Sequence, residues 1–296
     1  MSITPKRLRT LLGVDEPAIS LVKTSIEDRG DHILERLTFR LEGKGEVRGL
    51  LTRPRTSSGL LPAILYGHSH GGRYDIGADE LLWGREYLLR PLGPVLAAQG
   101  YVTLCIDMPI FGLRATETEN ATAKRLLWYG KSLIGEMLSD HAAALTYLSS
   151  RTDVDPARIG AFGMSMGCTL SYWLAAIDSR IAALAHLCCY CDYETLVALG
   201  GQDGHGMYLM VPGLLNQTST GEIAGLIAPR PQLICVGEAD ALTPPLAIDR
   251  AFAETAALYA ANDASDRLAL LIESGIKHQE TPAMRDAMLT FFRAWL

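Results

Sequence analysis

Residues 159–167 read Ile159-Gly160-Ala161-Phe162-Gly163-Met164-Ser165-Met166-Gly167, and this stretch decides the fold. A short apolar run passes directly into a Gly-x-Ser-x-Gly pentapeptide, and the chain continues to Ile177 without a charge. Strand, abrupt turn and helix is the reading that fits. A turn that tight strains the serine backbone, and flanking glycines let neighbouring chains approach. The hydroxyl is then pushed out at the C-terminal edge of a sheet, with a helix N-terminus behind it that favours negative charge. A glycine-rich turn with an idle serine is the competing reading, and the strand-to-helix setting counts against it.

The segments on either side supply the sheet. Residues 1–30 read as a partly helical N-terminal arm. Two β-like segments, 33–41 and 46–52, are joined by the turn-rich Glu42-Gly43-Lys44-Gly45. Short apolar strands are expected at 63–66, 101–106 and 158–164, with helices near 85–99 and over 135–150. After the elbow helix at 166–177, strands follow at 181–186, 232–236 and 268–273, with helices over 245–260 and 282–295. Short buried strands alternating with helices predict an α/β fold, a mostly parallel sheet with helices on both faces and an antiparallel edge. No repeat, low-complexity tract or linker divides the chain, so 1–296 reads as a single domain. Residues 190–216 form a small insertion over the active site.

Composition agrees. The chain has 296 residues, 48% hydrophobic and 20% charged, which excludes a disordered polymer. A net charge of −6 argues against nucleic acid or an anionic membrane as the main partner. The uncharged run 159–177 nearly reaches the length of a membrane span, but its glycines, serines and threonine fit the elbow better. Lys6, Arg7 and Arg9 stand near the start with no apolar signal-peptide core beside them. Six cysteines fall mostly in apolar segments, as buried free thiols would, and a reducing cytoplasm is the expected location.

A serine hydroxyl is a weak nucleophile and needs a base that a third group orients. His32 precedes a strand, His141 lies within a helix, and His186 ends an apolar strand, so none is placed to serve. His278 lies in Ile276-Lys277-His278-Gln279-Glu280, between the last strand and the final helix, where a loop leaves the C-terminal sheet edge. An acid should leave another strand end between the two. Asp240, in the turn after 232–236, is the candidate, with Glu238 as the alternative and helix capping as its ordinary role. The order Ser165, Asp240, His278 is the α/β-hydrolase order.

Acyl transfer also requires donors for the developing oxyanion. The main-chain N–H of Met166 is one candidate. The other comes from Gly67-His68-Ser69-His70-Gly71-Gly72, through Ser69 or His70. A metal site at His68 and His70, or at Cys188-Cys189-Tyr190-Cys191, lacks further ligands at suitable spacing, so no metal is expected.

These residues resemble the α/β-hydrolase superfamily, closest to its dienelactone hydrolase-like and acetyl xylan esterase-like branch. The resemblance covers roughly 45–296. It rests on the 66–72 loop, on Tyr101-Val102-Thr103-Leu104-Cys105-Ile106-Asp107 with Phe111-Gly112-Leu113-Arg114, on Asp153 to Gly160, and on Leu226 to Ile234. It implies an eight-stranded sheet, a Ser-His-Asp triad and no cofactor. Dienelactone hydrolases proper resemble this chain less at the elbow, where they carry cysteine in place of Ser165, so lactone specificity does not transfer. The oxyanion loop reads His-Ser-His-Gly where a plain His-Gly-Gly would name its donor.

The function expected is hydrolysis of a small or medium-sized carboxylic ester, a small-molecule partner, through an acyl-enzyme. Segments 73–83, 111–129 and 190–216 should lie over the strand ends, offering Tyr74, Trp83, Trp128, Tyr190, His205, Met207 and Tyr208 as an amphipathic set. Cleavage of amide, peptide or carbon–carbon bonds by the same triad is the enzyme rival. A non-catalytic binding protein of the same fold is the other, and an intact triad counts against it. The sequence leaves homo-oligomerisation open.

Overall fold

Nine strands form one sheet in the computed structural model, which describes residues 3–296. In chain order they are Ile19–Asp28 (β1), Ile33–Leu41 (β2), Gly45–Arg53 (β3), Leu61–Gly67 (β4), Val102–Ile106 (β5), Val154–Met164 (β6), Ala183–Leu187 (β7), Gln232–Gly237 (β8) and Leu268–Glu273 (β9). Their spatial order is β1-β2-β3-β5-β4-β6-β7-β8-β9. The pairs from β1 through β3 to β5 are antiparallel, and every pair from β5 to β9 is parallel. The mostly parallel α/β architecture is therefore as expected, with one strand more than the resemblance implies.

The additional strand is β1, inside the stretch expected to be a partly helical arm. Only Pro5–Leu12 (α1) is helical there, and Met1 and Ser2 lie outside the described residues. Nearly all of β1 is exposed along its length. A strand with both faces in water carries no apolar alternation, so periodicity could not reveal it. The helix expected at 85–99 is also shorter, Leu92–Ala98 (α3), preceded by the single turn Glu80–Trp83 (α2). Gly84, at φ 67°, and Pro91, just before α3, break it.

The remaining helices are Glu119–Trp128 (α4), Leu133–Ser150 (α5), Met166–Ile177 (α6), Tyr193–Ala198 (α7), Thr220–Gly225 (α8), Pro245–Ala261 (α9) and Pro282–Trp295 (α10). Side chains alternate across the sheet. Leu65, Leu104, Ala161 and Ile234 pack with α1, α5, α6, α8 and α9 on one face. Their neighbours Ile64, Cys105, Phe162 and Cys235 pack with α3 and α10 on the other. Burial on both faces explains why the central strands read as continuous apolar runs. No helix among the described residues is long and apolar enough to cross a membrane. The parallel strands β4, β6, β7 and β8 all end at one edge, and the loops leaving it build the site.

Candidate active site

Ser165 occupies the turn between β6 and α6 with φ 59° and ψ −122°. That backbone region is unfavourable for a residue with a Cβ. The close approach is visible in the glycines. A Cβ on Gly163 would lie 2.3 Å from the Gly167 carbonyl, and one on Gly167 would lie 1.9 Å from the Gly67 oxygen. The ends of β4 and β6 and the first turn of α6 are thus in backbone contact. The Ser165 N–H donates to the Leu187 carbonyl at 2.9 Å, fixing the turn against β7.

His278 follows β9, and its Nδ1 lies 2.7 Å from Asp240 Oδ2. Asp240 is buried, and its other oxygen accepts the Leu242 N–H at 2.9 Å. A carboxylate held on both oxygens fixes His278 with its proton on Nδ1 and a lone pair on Nε2, the tautomer a base requires. Glu238, the alternative acid, faces solvent; its Oε2 accepts the Ser274 hydroxyl at 2.6 Å and the Gly275 N–H at 3.1 Å. Those bonds draw its pKa below the usual value and make it a turn brace. Ser165 and His278 line one cavity of about 250 Å³, together with His70, Cys189, His205 and Tyr208. No hydrogen bond joins the Ser165 hydroxyl to the imidazole, and contacts of this kind tighten around a bound substrate.

The oxyanion candidates separate. Met166 N–H, at the first turn of α6, has no partner among the described residues, and neither has the His70 N–H. The Ser69 N–H is already committed, donating to Glu80 Oε1 at 3.0 Å. Ser69 is therefore corrected from donor to anchor. Buried Glu80 also accepts the Ser69 hydroxyl at 3.1 Å and the Tyr66 hydroxyl at 2.5 Å, and pairs with Arg85 at 3.3 Å. Burial, reinforced by the Glu80 charge, drives the Tyr66 pKa upward and keeps its phenol a donor.

Both histidines of this loop are occupied by protein groups. His68 is fully buried, and burial lowers its pKa and keeps it neutral. Its Nδ1 bonds the Ser69 carbonyl at 3.0 Å, and its Nε2 accepts the Met108 N–H at 3.2 Å. His70 Nδ1 accepts the Gly72 N–H at 3.1 Å, so its proton is on Nε2, which donates to Glu119 Oε2 at 3.0 Å. Glu119, on α4, also accepts the Tyr74 hydroxyl and the Tyr208 N–H, each at 2.7 Å. All six cysteines are buried thiols. Cys188 lies beside the Asp240–His278 pair with ligand atoms within 4.8 Å, but those two groups already bind each other. Burial, then the Asp240 charge, raises the Cys188 pKa, so it stays protonated.

Of the amphipathic set, Tyr74, His205 and Tyr208 reach the site or its first contacts. Trp83 and Trp128 point to solvent, and Tyr190 is buried against Thr255. Glu80 and Glu119 are the residues sequence reasoning missed. Each stands at a helix start, where an acidic residue is ordinarily read as favouring the helix dipole, so local pattern gave no sign of a partner elsewhere.

A serine elbow, an Asp–His pair and a loop of main-chain donors at the C-terminal edge of a mostly parallel sheet define an α/β-hydrolase fold. Residues 82–190 match the dienelactone hydrolase family. The chain is 40% identical over 294 residues to YtaP of Bacillus subtilis (strain 168), a protein named as a hydrolase, covering 98% of each. The chain belongs to the dienelactone hydrolase family. Among solved structures it is similar to methylesterase BT1017, with TM-score 0.70, 22% identity, 98% of this chain covered and 62% of that one. This chain therefore spans less than two thirds of the methylesterase's length. It also resembles a glucuronoyl esterase from Solibacter usitatus, with TM-score 0.71, 17% identity and coverage of 98% and 91%. Acetyl xylan esterase 1 from Thermoanaerobacterium sp. JW/SL YS485 gives TM-score 0.63, 17% identity and coverage of 97% and 91%. At these identities the structural likenesses establish the fold alone.

Proposed function

We propose that this chain is a serine hydrolase that cleaves a small carboxylic ester through an acyl-enzyme. The observation that carries the reading is the strained Ser165 sharing a cavity with His278, whose Nδ1 is held by buried Asp240 at 2.7 Å. His278 Nε2 takes the Ser165 proton as the hydroxyl attacks the ester carbonyl. Asp240 stabilises the imidazolium that forms, and the Met166 and His70 N–H groups bind the oxyanion. The imidazolium returns its proton to the leaving alcohol. Water, deprotonated by the same ring, then attacks the acyl-Ser165 ester, and the acid departs with Ser165 restored.

A cavity of about 250 Å³ suits a small ester group and excludes a polymer backbone from full enclosure. Family membership supports a hydrolase, and the folds shared with named esterases support the ester among the bonds this chemistry can cleave. Six buried thiols are consistent with a reducing compartment.

A fluorophosphonate probe should label the protein stoichiometrically, and Ser165→Ala should abolish labelling. Labelling that persists in the variant places the nucleophile elsewhere. p-Nitrophenyl acetate should turn over and p-nitroacetanilide should not; the reverse preference rejects the ester.

A further inference from the structure

A second cavity lies against the first. It is an apolar groove of about 150 Å³ walled by Leu196, Leu209, Met210, Leu214 and His205. His205 also lines the Ser165 cavity. The partition is a single run of chain. Gly204, Gly206 and Tyr208 face Ser165; Gln202, Leu209 and Met210 face the groove; His205 faces both. Its ring is pinned, because Nε2 donates to the Leu242 carbonyl at 2.9 Å, and Leu242 N–H is itself bonded to Asp240. The partition is thus anchored to the turn that carries the proposed acid.

The groove suits hydrocarbon. Of its polar wall groups, the His205 Nε2 is bonded to Leu242, the Tyr193 hydroxyl is bonded to Tyr172 at 3.2 Å, and the third, Gln202, is an exposed residue whose amide can stay in water. Val197, Met210 and Leu215 are 50%, 37% and 41% exposed, although each is apolar and each lines this concavity. Clustered apolar exposure in a concave surface beside a reactive site marks a binding surface. An apolar space of about 150 Å³ is the size that accepts a benzene ring.

We propose that the groove is a subsite for an apolar group of the ester, aryl or short branched alkyl, reached over His205, the residue that the groove shares with the Ser165 cavity. The proposal rests on the ester-hydrolase reading. Burying such a group lowers KM and leaves the reacting carbonyl over Ser165. The group can belong to the acyl or to the alcohol half, and the substrates tell these apart.

Ethyl acetate serves as reference, ethyl phenylacetate as the acyl arm and benzyl acetate as the alcohol arm, all followed by proton release. Val197→Trp fills the groove from its exposed rim, and Met210→Glu places a charge in it; circular dichroism verifies folding, and light scattering reports the oligomeric mass. In both variants kcat/KM for one phenyl-bearing ester should fall about tenfold or more, through KM, with ethyl acetate within about twofold of wild type. Unchanged profiles in both arms overturn the subsite. So does an equal fall for all three esters, or a change of mass with an unchanged profile, which assigns the groove to a second copy of the chain. If the wild-type protein neither turns over an ester nor takes a fluorophosphonate label, the ester reading fails and the subsite with it; normal ethyl acetate turnover with unaltered profiles overturns the subsite alone.

Discussion

Replacing Glu119 by glutamine tests whether the helix α4 holds the oxyanion loop. Glu119 is buried and accepts three bonds, from His70 Nε2 at 3.0 Å and from the Tyr74 hydroxyl and Tyr208 N–H at 2.7 Å. An amide that keeps its oxygen on Tyr208 turns its NH₂ toward the other two. The Tyr74 hydroxyl can rotate and accept. His70 cannot, because moving its proton to Nδ1 confronts the Gly72 N–H already bonded there. One bond to a charged group is lost and two weaken, and bonds of that kind contribute about 1.5–3 kcal/mol each. A loss of about 2–4 kcal/mol in stability at pH 7 is expected.

Activity should follow. Removal of an oxyanion donor costs about 10²–10³ in kcat, and a loosened His70 should cost about 10–100-fold with little change in KM. The pH dependence has a definite sign. Burial alone would raise the Glu119 pKa, but the bonds from His70, Tyr74 and Tyr208 outweigh it and place the pKa below 4.5. A carboxylate whose pKa is depressed on folding contributes stability above its unfolded value, and that contribution is lost as pH falls through the folded one. The difference between wild type and Glu119→Gln should therefore be full at pH 7 and shrink below about pH 4. Urea midpoints across that range and p-nitrophenyl acetate kinetics measure both. A variant with wild-type midpoint and kcat at pH 7, or a difference that widens in acid, would refute the reasoning.

Other expectations are simpler. Asp240→Asn should turn an amide N–H toward His278, favour the tautomer with a protonated Nε2, and lower p-nitrophenyl acetate kcat about 10³–10⁴-fold with an unchanged circular dichroism spectrum. Gly167→Ala drives a Cβ to 1.9 Å from the Gly67 oxygen, a backbone clash that should cost about 3 kcal/mol or more and show as a collapse of the thermal midpoint. Ser69→Ala leaves the main-chain N–H on Glu80 and removes one hydroxyl bond, so stability should fall by about 1 kcal/mol and kcat by less than about threefold. A hundredfold fall would mean that the Ser69 hydroxyl itself takes part in the reaction, beyond its bond to Glu80.

What the chain discloses before folding depends on how local the determining physics is. The elbow is legible because backbone contact demands glycine at Gly163 and Gly167, a requirement written into five consecutive residues. Asp240 and His278 are legible because the sheet topology carries every parallel strand to the same edge, so strand ends become neighbours. Glu80 and Glu119 were silent. Apart from Arg85, their partners lie 11 or more residues away, on the end of β4 and on loops, brought together only by the way short helices fold over the edge. The main-chain donors were half legible. The loop could be named, but the choice between Ser69 and His70 turns on a carboxylate from another element. Strand β1 was lost because its solvent-exposed faces impose no pattern.

The Ser165 backbone angle has a consequence for how this protein can change over generations. At φ 59° and ψ −122° glycine would rest without strain, so the residue most favourable to the fold is one that has no hydroxyl. Selection for robustness alone pushes this position away from serine; with Ser165 as the proposed nucleophile, selection for turnover is what holds it there. A lineage released from the need for the reaction should lose Ser165 early while its nine-stranded sheet persists. The identity of that one residue then reports whether a descendant still works.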